Sequence, residues 1–183
     1  MALFLASATV LSGCGKDDDH HHPGHEQELI TTVGLFLTHP TDSTLNTSIT
    51  FRDLDGEGGQ NGVFYPDTLH LQPNVTYRSW LLILDQSDPN PANSINIGEE
   101  IKEESDVHQF FYTPTAGLNI TVTNLNLDAN QMPLGLEADI ITGQASTGAL
   151  RVSLSHYGEV AKDGINPSGE TDIEVNFPVR IQQ

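Results

Sequence analysis

The sequence predicts an all-β fold: an antiparallel β-sandwich of immunoglobulin-like architecture carrying one short helix. Three observations predict it. From residue 28 onward apolar residues recur with period two, and clusters of Gly, Pro, Asn and Asp separate the strand-length runs. Only one stretch breaks that rhythm with three- and four-residue steps. The 183 residues suffice for one domain with a hydrophobic core. The expected organisation is a signal segment over 1–13, a tether over 14–27 and a single sandwich over 28–183.

The strands follow in order. "LITTVGLFLTH" alternates Val33, Leu35 and Leu37 with small or polar neighbours, and "TSITFRDL" repeats the pattern with Ile49 and Phe51. "VTYRSWLLILD" is almost continuously apolar from Trp80 to Leu84, which predicts a central strand covered on both faces. Further strands are expected in "GLNITVTNLNL", "LGLEADIIT", "GALRVSLSHY" and "TDIEVNFPVRI". In the last, Ile173, Val175, Phe177, Val179 and Ile181 share one face, with Asp172, Glu174, Asn176 and Arg180 opposite. Pro178 lacks a backbone donor, which predicts an edge position. The exception is "SINIGEEIKEESDVHQFFY", where Ile97, Ile101, Ser105 and His108 fall on one stripe of a short helix.

Acidic residues outnumber basic ones 25 to 7, for a formal charge of −18. That balance argues against nucleic acid as a partner and favours cations in general. The single cysteine cannot form an internal disulfide, and its position explains it. "MALFLASATVLSGC" is an apolar run too short to span a bilayer and reads as a signal segment ending before Cys14.

"LSGC" resembles the bacterial lipobox, which implies acylation of Cys14 and a membrane anchor formed by its lipid chains. Signals of that kind carry Lys or Arg before the apolar run, a feature not seen ahead of Leu11. "KDDD" resembles the Lys-plus-acidic signal that sends Bacteroidota lipoproteins to the outer face of the outer membrane. The resemblance implies that location, with Lys16, Asp17 and Asp18 as the export signal.

The same tether concentrates Asp19, His20, His21, His22 and His25. Imidazole nitrogens suit zinc, copper, nickel and iron, and carboxylates add oxygen donors. A flexible donor cluster must be ordered on binding, so it exchanges ions quickly and suits capture and transfer. A polar export spacer is the competing reading, and a cloning remnant is a third. Within the domain, His39 ends the row of Val33, Leu35 and Leu37, and His156 ends that of Leu150, Val152 and Leu154. His108 lies on the helix stripe, four residues after Glu104. Convergence of His39, His108 and His156 at one pole would make a second metal site. Separate hydrogen-bonded imidazoles at the core rim are the alternative.

"DLDGEGG" resembles the D-x-D-G core of calcium loops, with Asp53, Asp55 and Glu57 as ligands. Phe64 stands where that pattern has Glu, and a glycine-rich hairpin is the other reading. Catalytic signatures are missing: the chain has no G-x-S-x-G, H-E-x-x-H or phosphate-binding glycine loop. A non-enzymatic role without an organic cofactor is expected.

Taken together, "CGKDDDHHH", "ITTV", "DLDGEGG", "EEIKEESDVHQFFY" and "GETDIEVNFPV" resemble a group of Bacteroidota surface lipoproteins. In that group an acidic, His-rich tether precedes a small β-rich domain. Such proteins are often encoded beside TonB-dependent receptors, which implies an accessory role in uptake. The expected function is therefore capture of transition-metal ions or a metal complex, zinc being one candidate, for a TonB-dependent receptor. The alternative is a structural or glycan-binding sandwich with a passive tether. Its stacking residues would come from Trp80, Tyr77 and Tyr65.

Overall fold

A computed structural model describes residues 29–55, 62–158, 160–167 and 169–182. Among these the chain runs through β1 (Thr32–Thr38), β2 (Thr47–Arg52), β3 (Val63–Tyr65), β4 (Leu69–Leu71) and β5 (Thr76–Asp85). There follow β6 (Ile95–Asn96), α1 (Ile97–Glu103), β7 (His108–Pro114), β8 (Ile120–Thr123), β9 (Glu137–Thr142), β10 (Ser146–His156) and β11 (Glu170–Ile181). The larger sheet has the order β3-β2-β1-β5-β9-β8, with β6 added to β5, and the smaller has the order β4-β11-β10-β7. All pairs are antiparallel except β4 with β11. The fold is an all-β sandwich. No helix of the described residues is long and apolar enough to cross a membrane.

Period-two patterning places the core. Leu35 lies opposite Ile49 on one side and Leu81 on the other, and Leu150 lies opposite Phe177. These side chains belong to one apolar cluster that runs from Ile30 to Ile181 between the sheets. Each fully buried large side chain contributes about 1.5–3 kcal/mol before chain entropy is subtracted.

Three expectations change. β5 is central, but it is not covered on both faces: Tyr77, Ser79, Leu81 and Ile83 point inward while Trp80 stays 42% exposed. The apolar run hid this alternation. α1 follows β6 and packs Ile97 and Ile101 into the core beside β5, which leaves the outer face around Trp80 open.

The helix is also shorter than its stripe. The Asn96 side chain caps it by accepting the Gly98 amide at 3.2 Å, and Glu99 and Glu100 complement the first turn's dipole. It ends at Glu103, so His108 opens β7 rather than extending the helix. The "HQFFYTP" segment is rich in aromatics suited to a half-buried pleat, and pairing with β10 decides its state.

Pro178, finally, lies in a strand flanked on both sides for part of its length. β10 runs along β11 from Glu170 to Ile181, and β4 joins its other side at Val179–Ile181. Among the described strands, β11 is thus an edge up to Pro178 and internal beyond it.

Candidate metal centre

Three strands of the smaller sheet end or begin at one pole. β7 starts with His108, β10 ends with His156, and the two residues sit directly opposite each other in the ladder. Their rings lie 4.5 Å apart between centroids, tilted by 37°. On the other side of β10 the register slips between Leu154 and Ser155. Leu154 faces Ile173 and Ser155 faces Thr171, so Asp172 is the extra residue of a β-bulge.

That bulge overturns the outward placement of Asp172. An unbroken period-two strand would turn its carboxylate to solvent beside Glu174. The inserted residue resets the alternation, and the Asp172 side chain is fully buried against His108, whose Nε2 is 3.9 Å from Asp172 Oδ2.

One ligand atom from each of His108, His156 and Asp172 lies within 4.8 Å of the others, and all three residues are buried. In a tetrahedral zinc site with bonds of about 2.0–2.1 Å, ligand atoms stand about 3.3 Å apart, so the widest pair needs to close by up to about 1.5 Å. The tautomer is also set. His108 Nδ1 is 3.0 Å from the Glu104 carbonyl oxygen, which can only accept, so Nδ1 carries a proton. In the neutral ring this makes Nε2, the atom toward Asp172, the acceptor nitrogen and the one able to ligate a cation. A backbone carbonyl holding the far nitrogen is one of the usual ways a metal-binding imidazole is oriented. Glu104 thus contributes through its backbone.

The segment after His156 closes over this pole. Tyr157 donates its amide to the Val107 carbonyl at 2.8 Å and its hydroxyl to the Asn166 carbonyl at 2.8 Å. Lys162 Nζ donates to the Ser105 carbonyl and to Asp128 Oδ2, both at 2.8 Å. This ion pair is itself buried, with side-chain exposures of 3% and 1%. Burial opposes ionisation of Asp128. The Lys162 hydrogen bond and the amides of Met132 and Asn130 outweigh it, holding the carboxyl below the usual range.

His39 does not join the cluster. Its ring sits edge-on to Tyr77 at 5.7 Å, and its Nδ1 accepts the Asp42 amide at 3.2 Å. The Tyr77 hydroxyl accepts the Gln72 amide, next to Leu71, which pairs with Ile181 at the far end of β11. His156 pairs with Glu170 at its beginning. At about 3.3 Å per residue along β11, the two poles are roughly 35 Å apart. The place expected for His39 is taken by Asp172.

Other expected positions are less informative. Cys14, Lys16, Asp17, Asp18, Asp19, His20, His21, His22 and His25 lie outside the described residues, as does Glu57 of the expected calcium loop. Asp53 and Asp55 follow β2, which pairs antiparallel with β3, so the loop joins the arms of a hairpin. Comparisons with family models, with curated proteins and with solved structures each return no match. The site's chemistry therefore stands on the chain's own residues, and those residues are a buried two-histidine, one-carboxylate group able to hold a metal ion.

Proposed function

We propose that this chain is a metal-handling lipoprotein, anchored to the outer membrane through Cys14 and facing outward. In this reading it captures transition-metal ions or a metal complex as a non-catalytic accessory to a TonB-dependent receptor. The observation that supports it is the buried His108–His156–Asp172 cluster. Two imidazoles and one carboxylate, without a thiolate, favour zinc or a similar first-row divalent ion over copper(I).

The reading divides the work between two places. The cluster is sealed, with no side-chain exposure at His108 or Asp172, so its ion is resident and exchanges slowly. His20, His21, His22 and His25 supply the fast-exchanging donors on the tether. Zinc titration of the mature chain followed by calorimetry tests the division. The expected result is one tight equivalent that survives removal of residues 15–27, plus weaker equivalents lost with them. Failure of both classes to bind refutes the proposal. Loss of the weak class alone from the intact chain leaves a structural metal protein with an inert spacer.

A further inference from the structure

The outer face of the larger sheet carries a second candidate site that the metal chemistry does not use. Trp80 on β5 stacks on Phe36 of β1, with ring centroids 4.1 Å apart and planes within 5°. Gly34 makes this possible: a Cβ there would stand 2.7 Å from Phe36 Cε2. On the side of Trp80 toward β9 and α1 lies a cleft of about 220 Å³. Its lining includes Trp80, Leu82, Asn96, Lys102, Asn126 and Glu137, with no contribution from β1. Since β1 and β9 flank β5 on opposite sides, Phe36 stacks on Trp80 from the β1 side while the cleft lies on the β9 side.

The polar groups around it are paired at the surface. Glu137 accepts from Arg78 Nη2 at 2.8 Å, Lys102 pairs with Glu99 at 2.8 Å, and Asn126 Oδ1 accepts the Glu137 amide at 2.8 Å. An indole backed by a second ring, bordered by amide, carboxylate and ammonium groups, suits a pyranose. Its C–H face packs on the aromatic ring and its hydroxyls hydrogen-bond around the rim. The net charge of −18 disfavours polyanionic glycans. We propose that this cleft binds a neutral saccharide, with Trp80 as the stacking platform and Glu137 and Lys102 as hydroxyl partners. Of the other aromatics expected to stack, Tyr77 is buried in the core, while Tyr65 is exposed on β3 beyond β2.

Trp80 is the only tryptophan of the chain, so its emission reads the cleft directly. The test is affinity electrophoresis of the mature chain in gels containing dextran, laminarin, xyloglucan or galactomannan, with polygalacturonate as the anionic control. Fluorescence titration with oligosaccharides of any retarding polymer follows. The expected result is retardation by at least one neutral polymer and a saturable change in Trp80 emission. Trp80→Ala should abolish binding, and the shape-preserving Glu137→Gln should weaken it at least tenfold, with circular dichroism confirming that both variants fold. Retardation by none of the neutral polymers, retardation only by polygalacturonate, or binding unchanged in both variants overturns the proposal. These outcomes are independent of bound metal.

Discussion

His156 sits directly opposite His108 where β7 meets β10, and the bulge in β11 sets Asp172 within reach of both. The cluster is therefore built from three strands of one sheet. An ion bound there would tie their ends together, and it would stabilise the fold by preferring the folded chain.

Zinc should raise the melting temperature, and chelation should reverse the gain. At a free concentration a hundred times Kd, the stabilisation is about 2.7 kcal/mol, or roughly 5–10 °C for a chain of this size. Protons compete for the imidazole nitrogens, so the gain should shrink on acidification. Asp172→Asn keeps the shape of the side chain, removes its charge, and should weaken zinc binding by at least tenfold. Calorimetric scans with zinc and with EDTA across a pH series check all three points.

Lys162→Met should destabilise the fold by about 3–5 kcal/mol, because it strands Asp128 as a buried carboxylate. The sign of the pH effect follows from Asp128. Its carboxyl is depressed in the folded chain, so the stability it contributes is fully present above the ordinary aspartate value of about 3.9. That contribution is lost as pH falls through the lower folded value. Urea titrations should therefore show a wide gap between wild type and variant near neutrality and a narrowing one in acid.

Two glycines with positive φ should respond differently to alanine. At Gly117, φ is +91° and a Cβ would meet nothing within 4 Å, so Gly117→Ala should cost only the conformational strain, about 1–2 kcal/mol. At Gly169, φ is +76° and a Cβ would collide with the His156 carbonyl oxygen and lie 3.1 Å from Tyr157 Cα. Gly169→Ala should cost more, on the order of 3 kcal/mol or above, and should weaken zinc binding by shifting His156. Thermal denaturation of the pair, with and without zinc, checks the contrast.

Much of the sandwich can be read from alternation alone. Val175, Phe177, Val179 and Ile181 are buried as their spacing predicts, as are Leu150, Val152 and Leu154. The His108–His156–Asp172 cluster could be read only in part. His156 stands at the end of its row, but His108 belongs to a strand whose pairing with β10 is a tertiary fact. Asp172 was hidden by the bulge, since one inserted residue reverses the face of a strand without marking the local sequence. The placement of His39 failed for a related reason. A row of apolar residues shows which face a side chain takes, not which pole of the sheet it reaches.

The most direct test is the metal content of the mature chain, purified without metal-affinity chromatography, beside the same chain lacking residues 15–27 and Asp172→Asn. Mass spectrometry of the intact protein under native conditions and elemental analysis give the stoichiometry together. We predict about one divalent transition-metal ion per chain, retained without the tether and lost in Asp172→Asn. A chain that carries no such ion and takes up none after incubation with zinc would contradict the central claim.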